Sequence, residues 1–376
     1  MGELNIAFIT NFCTHYRYKL FKILSEKHGF DFYFFGSAYK DKEDIKHLKI
    51  FKNGIGFYCF KIKEIFRRLL KVKYDVIIKC TNNKWSFLGS FIIAKLIRAK
   101  FIVWHTIWYY PKTLQYKLFS WFLIKILRDW TDAIVVYGKH GKKFLVEKGI
   151  NPEKIFIAWQ TVDNELYGKE VNDEEIEKLK KDLNIYGKKI VLYVGRLIKL
   201  KGLEYLLQAL KSINKKDFVF LMVGDGNLRS YIENFCLENG IYYRITGFIP
   251  FSKLPPYYKI ADVLVLPSIT TKTFKEPWGL VVNEAFNQGC PAVVTDAVGA
   301  GTGGLVKNGV NGFVVPERDT NKLAEAIKKI LFDDELRENL SRNSLSEIKK
   351  WTYERQAKGF LDAIDYVLRR EHHERD

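Results

Sequence analysis

The chain has 376 residues, of which 61 are Lys or Arg and 43 Asp or Glu, giving a formal net charge of +18, and 47% are hydrophobic. That length exceeds what one compact core usually holds and the composition is ordinary globular, so two domains are expected and disordered, collagen-like and fibrous classes are excluded. Residues 1–170 carry 30 basic and 15 acidic side chains, leaving +15 there and +3 in the remainder, so the first half is the part suited to a polyanionic partner.

Apolar, β-branched runs of strand length recur along the chain at Leu4 to Thr10, Phe30 to Phe35, Asp75 to Lys79, Phe101 to His105, Ala133 to Tyr137 and Ile155 to Trp159. Stretches able to form helices, such as Arg17 to Lys27, lie between them. Continuous apolar strands alternating with helices predict a parallel sheet covered on both faces. A second series follows at Ile190 to Gly195, Phe218 to Gly224, Arg244 to Gly247, Val263 to Pro267 and Pro291 to Thr295, with a helix over Gly202 to Lys211. The polar stretch Asp163 to Lys189 separates the two series, placing an N-terminal domain at 1–165 and a C-terminal domain at 186–350. Trp351 to Arg370 reads as an amphipathic helix with Phe360, Ile364 and Val367 on one face.

The candidate membrane span Trp85 to Ala94 stops at Lys95, short of the roughly 20 residues needed to cross a bilayer. The start, Met-Gly-Glu-Leu-Asn-Ile, has no basic leader and places Ile6 where a myristoylation signal needs Ser or Thr, so a cytosolic chain is expected. Cys13, Cys59, Cys80, Cys236 and Cys290 are scattered without a Cys-x-x-Cys pair, which supports reduced thiols rather than a disulfide framework or a zinc site.

Parallel sheets raise the question of nucleotides. The turn after the first strand, Asn11 to His15, contains no glycine, and the Gly-x-Gly-x-x-Gly at Gly299 to Gly304 leads into Leu305 to Gly309, too short for the helix a dinucleotide fingerprint requires. The strongest segment is Glu276 to Ala285, between Leu266-Pro267-Ser268 and Gly289-Cys290-Pro291. Pro277 favours an extended Glu276, and a helix beginning beside Gly279 would present free N–H groups at the carboxyl edge of a strand, where open α/β sheets bind phosphates. Glu276 precedes that helix and Glu284 lies inside it, so two separate carboxylate roles toward vicinal hydroxyls fit better than one acid–base pair. Glu284 also sits among Val281, Val282, Ala285 and Phe286, where a carboxylate needs a partner. Gly195-Arg196-Leu197 with Lys201-Gly202 sets two cations around the loop after the second domain's first strand, as a diphosphate would require; alone, this could be a solvated basic loop.

These segments, with Gly224-Asp225-Gly226, Gly247-Phe248-Ile249-Pro250 and Asn311-Gly312-Phe313, stand in the order seen in the retaining GT-B glycosyltransferases of family 4, which the chain resembles from about Ile190 to Leu331. The resemblance implies an α/β fold of two Rossmann-like domains facing across a cleft, with the C-terminal segment 351–376 crossing back to the first. It implies a nucleoside diphosphate sugar donor of UDP or GDP type, with Arg196 and Lys201 on the diphosphate beside Gly195. The backbone of Gly279, Leu280 and Val281 would cap the diphosphate, Glu284 would take the ribose, Glu276 the donor sugar, and Phe248 and Ile249 would lie near the base. His105, at the end of its strand, matches a cleft-floor histidine that would orient sugar or acceptor. The first domain departs from the commonest pattern, reading Tyr16-Arg17-Tyr18-Lys19-Leu20-Phe21 where many relatives have a Gly-Gly loop; Tyr16 and Arg17 are acceptor-side candidates, with a place on the helix surface as the alternative for Arg17.

The expected function is sugar transfer to an acceptor hydroxyl with retention, in synthesis of a lipid-linked glycan or cell-surface polysaccharide. Glu276, His105, Arg196 and Lys201 would carry the chemistry, the leaving phosphate would take the acceptor proton, and no cofactor or metal would be needed, in keeping with the absence of an Asp-x-Asp triplet. Basic and aromatic stretches at Trp85 to Ile93 and Tyr116 to Lys125 suggest contact with an anionic membrane surface on its cytoplasmic face, with core packing as the alternative. A sugar-nucleotide epimerase of the same fold stays open. A nucleic-acid-binding protein would explain the charge but shows none of the recognition signatures.

Overall fold

The structure is a computed structural model and describes residues 4–35, 56–111, 113–213 and 218–373. The chain divides into two compact units, one of residues up to Trp108, Leu114–Thr161 and the segment from Tyr353, the other of Tyr109–Thr113 and Val162–Thr352.

In the first unit β1 (Asn5–Thr10), β2 (Gly29–Phe34), β3 (Gly56–Cys59), β4 (Val76–Cys80), β5 (Lys100–His105), β6 (Ala133–Val136) and β7 (Ile155–Ile157) form a parallel sheet in the order β3-β2-β1-β4-β5-β6-β7. β1, β4, β5 and β6 are buried almost end to end, as expected of strands covered on both faces. The order reverses direction at β1, so the crevice beyond the carboxyl ends of β1 and β4 is the switch point of this sheet. Helix His15–Ser25 packs Leu20, Phe21 and Leu24 inward. The C-terminal helix Tyr353–His373 belongs to this unit: Phe360, Ile364 and Val367 are buried, and Phe360 lies 5.6 Å from Phe8 and 5.5 Å from Trp104 between ring centroids. Gly359 permits that approach, since a Cβ there would sit 2.3 Å from the Ile157 carbonyl oxygen.

The second unit repeats the plan with β8 (Lys189–Val194), β9 (Phe218–Val223), β10 (Tyr243–Ile245), β11 (Val263–Leu266), β12 (Ala292–Thr295) and β13 (Gly312–Val315), parallel in the order β10-β9-β8-β11-β12-β13. Its switch point lies between β8 and β11. The unit begins earlier than residue 186. Helix Asn164–Tyr167 is tied to it by Asn287 Nδ2 donating to Asn164 Oδ1 at 2.9 Å and Gln288 Nε2 donating to the Tyr167 carbonyl at 2.5 Å, and helix Asp173–Leu183 follows within it.

The edge strands β3 and β13 were not expected from the sequence. Both are four residues long, and Gly312 in β13 lies within a segment that reads as a turn. Cys13, Cys80, Cys236 and Cys290 are buried free thiols. Among the described residues no helix is long and apolar enough to cross a membrane.

Candidate functional site

The loops after β8 and β11 flank the switch point of the second sheet and are joined by the Ile269 N–H, which donates to the Leu200 carbonyl at 3.1 Å. After β8 the chain turns at Gly195, the Tyr193 hydroxyl holds the Arg196 carbonyl at 2.7 Å, and Leu197 is buried beneath. Arg196 itself is exposed. A short 3-10 turn, Lys199–Lys201, then carries Lys201 back toward the β11 loop. Gly202 makes the return possible: its φ is +69°, and a Cβ would stand 1.9 Å from the Pro267 carbonyl oxygen.

Lys201 and Glu276 meet. Their side chains form an ion pair between Nζ and Oε2, and the Ser268 hydroxyl donates to the same carboxylate oxygen at 3.0 Å. Thr295 Oγ1, at the end of β12, donates to the Ser268 carbonyl at 2.5 Å, so three strand ends converge behind Glu276. Glu276 is buried, and its backbone is braced by a bridge to Val298 and by the Gly299 N–H donating to its carbonyl at 3.2 Å. The glycine-rich segment from Gly299 thus acts as a support, with its first glycine packed against the Pro277 carbonyl, where a Cβ would come within 2.1 Å.

Helix Val281–Phe286 begins two residues after Gly279, and the N–H groups of Gly279, Leu280 and Val281 reach no backbone carbonyl among the described residues. Gly279, at φ +96°, has no room for a side chain between Leu266 and Val298. Glu284 lies on the buried side of this helix. Tyr258 donates its hydroxyl to Glu284 Oε2 at 2.5 Å, and Tyr167 also hydrogen-bonds the carboxyl. Burial pushes the carboxyl pKa up to about 7, against the lowering effect of the two hydroxyls. Phe248 is exposed and Ile249 half-buried in the loop after β10.

The other predicted residues lie in the first unit. His105 ends β5, is 1% exposed and stacks on Phe144 at 6.3 Å; burial lowers its pKa to about 4, so the imidazole is neutral at physiological pH. Arg17 is not on the helix surface: its guanidinium lies 4.7 Å over the Trp104 ring, and Nη2 donates to the Tyr137 hydroxyl at 3.1 Å. Tyr16 is beside it, its carbonyl held by the Tyr353 hydroxyl at 2.9 Å.

From the sequence, Lys201 and Glu276 have separate roles on the phosphates and the sugar; the ion pair between them is a tertiary contact without a local signal. No role follows from the sequence for Ser268 or Tyr258. Ser268 stood within a quoted motif, whereas nothing in Pro-Pro-Tyr-Tyr distinguishes Tyr258 from Tyr257.

Two doubly wound parallel sheets, each with its switch point at the carboxyl ends of central strands, define the architecture of a nucleotide-type α/β protein. Solved structures place this architecture in the GT-B fold: Anabaena HepE in complex with UDP and glucose aligns over 96% of this chain and 100% of its own, with 17% identity and a TM-score of 0.76. A glycosyltransferase of Rickettsia africae aligns over 98% and 99%, with 17% identity and a TM-score of 0.77. Residues 175–346, within the second unit, match the family model for glycosyl transferases group 1. An uncharacterised glycosyltransferase of Methanocaldococcus jannaschii is 31% identical over 60% of this chain and 54% of its own length. The Escherichia coli UDP-Gal:alpha-D-GlcNAc-diphosphoundecaprenol alpha-1,3-galactosyltransferase is 28% identical over 76% and 73%. The chain spans about half the length of several of the curated relatives it matches.

Proposed function

We propose that the chain transfers a sugar from a UDP- or GDP-type donor to an acceptor hydroxyl with retention of configuration. The observation that carries this reading is the pairing of Lys201 with Glu276 at the switch point, beside the open N–H groups of Gly279, Leu280 and Val281. A cation, a carboxylate and backbone donors at one sheet edge are the groups that a diphosphate joined to a hydroxyl-rich sugar requires. In this reading the donor diphosphate takes Lys201 and Arg196, and Gly195 leaves the backbone open to it. Glu276 receives sugar hydroxyls, Glu284 the ribose, and Phe248 and Ile249 border the base.

Charge developing on the leaving diphosphate is stabilised by Arg196, Lys201 and the backbone donors, which is the arrangement that lowers such barriers most. The leaving phosphate accepts the acceptor proton. His105, neutral and buried, orients rather than titrates. The cations supply the charge stabilisation, so the reaction proceeds without a metal or cofactor.

The acceptor is a glycan or lipid-linked sugar met at the cytoplasmic face of an anionic membrane, where the protein sits peripherally and no nucleic acid is bound. Two helices of the first unit support this. Lys84–Leu96 and Leu114–Lys125 leave Trp85 80%, Leu118 70%, Leu96 69% and Trp121 67% exposed, with Lys84 over Phe119 at 4.6 Å and Lys125 over both Trp121 and Trp130 at 5.8 Å. Large apolar groups held among lysines in the open suit a bilayer interface and are not core packing. The Escherichia coli relative is named for a diphosphoundecaprenol-linked acceptor, which agrees.

The test is an assay of purified protein with UDP- and GDP-sugars and prenyl-diphosphate-linked sugars, reading nucleoside diphosphate release and the product's anomeric signal by NMR. An axial donor should give an axial product at an unchanged rate in EDTA. Inversion would refute retention, and loss restored by magnesium or manganese would refute metal independence. Release of a free sugar without an acceptor would favour the epimerase.

A further inference from the structure

The first unit contains a second place built to receive an anion. Helix His15–Ser25 starts at the carboxyl end of β1, at the switch point of its sheet, and has no acidic residue in its first turn. Its N-cap residue Thr14 makes no side-chain capping bond, and Thr14 Oγ1 is a buried atom without a hydrogen-bond partner. One turn on, Arg17 uses a single side-chain hydrogen bond, to Tyr137, and its buried Nε is likewise without a partner. The indole under its guanidinium repeats the pattern: Trp104 is fully buried and its Nε1 has no acceptor. Among the described residues no carboxylate pairs with Arg17.

Buried polar atoms are almost always satisfied, and each exception needs an explanation. Here three fall on three touching residues, Thr14 one turn before Arg17 and Arg17 stacked on Trp104. Two of the three are N–H donors, the third is a hydroxyl, and the net charge is positive. The missing partner is therefore an acceptor-rich anion. Donors on a helix start, a guanidinium and a strand-borne indole suit a phosphate, whose several oxygens can accept from more than one of them at once.

We propose that Arg17, with Thr14, Trp104 and the start of helix His15–Ser25, recognises a phosphate carried by the acceptor. This rests on the reading of the second unit as the donor site, and gives the acceptor a chemical class: a sugar or lipid bearing a phosphate or diphosphate. Arg17 is a binding group here and takes no part in bond breaking.

The full chain is first saturated with whichever of UDP or GDP stabilises it more, then titrated calorimetrically with inorganic pyrophosphate and separately with farnesyl diphosphate. Wild-type protein should bind both. Arg17→Gln should weaken both at least tenfold while its affinity for the nucleoside diphosphate stays within twofold, and Arg17→Lys, which keeps the charge but loses the planar fork, should weaken them at least threefold. Should Arg17→Gln fail to fold, the Arg17→Lys comparison decides. Tighter binding of farnesyl diphosphate than of pyrophosphate assigns the phosphate to a lipid-linked acceptor and equal binding to a water-soluble one; both support the proposal. It is overturned if wild type binds neither probe, if the Arg17 variants bind as wild type does, or if malonate binds as tightly as pyrophosphate. Joint loss of nucleoside diphosphate and pyrophosphate binding in Arg17→Gln would put Arg17 on the donor and also overturn it. If wild type binds no nucleoside diphosphate, the donor reading fails, and the pyrophosphate comparison, run without nucleotide, still decides for or against Arg17.

Discussion

Burial pushes the Glu284 carboxyl pKa up to about 7, and the ribose role proposed for it uses both oxygens as acceptors, which only the ionised form offers. Between the ordinary carboxyl range and pH 7 the folded protein binds more protons here than the unfolded chain, so this group's contribution to stability falls as pH rises through that window. Its contribution to the proposed ribose recognition moves the other way. The ratio of UDP to 2′-deoxy-UDP affinity, or the guanine equivalent, should rise severalfold from pH 6 to pH 8; phosphate ionisation cancels in the ratio. Glu284→Gln should flatten it, and a ratio that is equally steep in that variant would remove Glu284 from the ribose. His105 behaves oppositely to an exposed histidine. With its pKa near 4 it stays neutral from pH 5.5 to 8, and no ionisation in that range should be traceable to it by comparing wild type with His105→Asn.

The elements that make the second-unit site are loops, and their shapes depend on glycines where no other residue fits. Gly202→Ala adds a Cβ 1.9 Å from the Pro267 carbonyl oxygen at a left-handed φ, so it should lower stability by at least about 2 kcal/mol in denaturant titration, within the usual range for backbone strain and overpacking. Because Lys201 and Glu276 share an ion pair, single Ala substitutions at either should each lower transfer by about tenfold to a hundredfold, and the double variant should fall short of the product of the two. Full additivity would mean the pair acts as two independent groups. The central strands and the Glu276-to-Glu284 segment were legible in the sequence because burial on both faces demands continuous apolar runs and because a carboxylate beside Pro277 and Gly279 has few structural uses. What was not legible was tertiary. The approach of Lys201 to Glu276 depends on a turn at Gly202 and on β8 neighbouring β11, neither of which has a local signal. Arg17 read equally well as helix surface until Trp104 and Tyr137, about 90 and 120 residues away, came beneath it.

At the scale of the molecule, most of residues 1–170, which carry +15, belong to the unit that also exposes Trp85, Leu96, Leu118 and Trp121. Each Lys or Arg near an anionic surface is worth about 1 kcal/mol, and buried apolar side chains add to it. The protein should sediment with anionic vesicles at low salt and not with neutral ones, and Trp85→Ser with Trp121→Ser should weaken this at least about fivefold, since interfacial binding scales with buried apolar area. Failure to bind anionic vesicles at low salt would leave that face for another partner. The central claim concerns the other unit, and thermal unfolding with a panel of UDP- and GDP-sugars, in wild type, Arg196→Ala and Lys201→Ala, tests it most directly. Ligand at a hundred times its Kd stabilises a protein by about 2.7 kcal/mol, so at least one donor should raise the wild-type Tm by several degrees. Both variants should lose most of that shift. No shift with any donor, or a full shift in both variants, would contradict the assignment of a nucleotide-sugar site to Arg196 and Lys201.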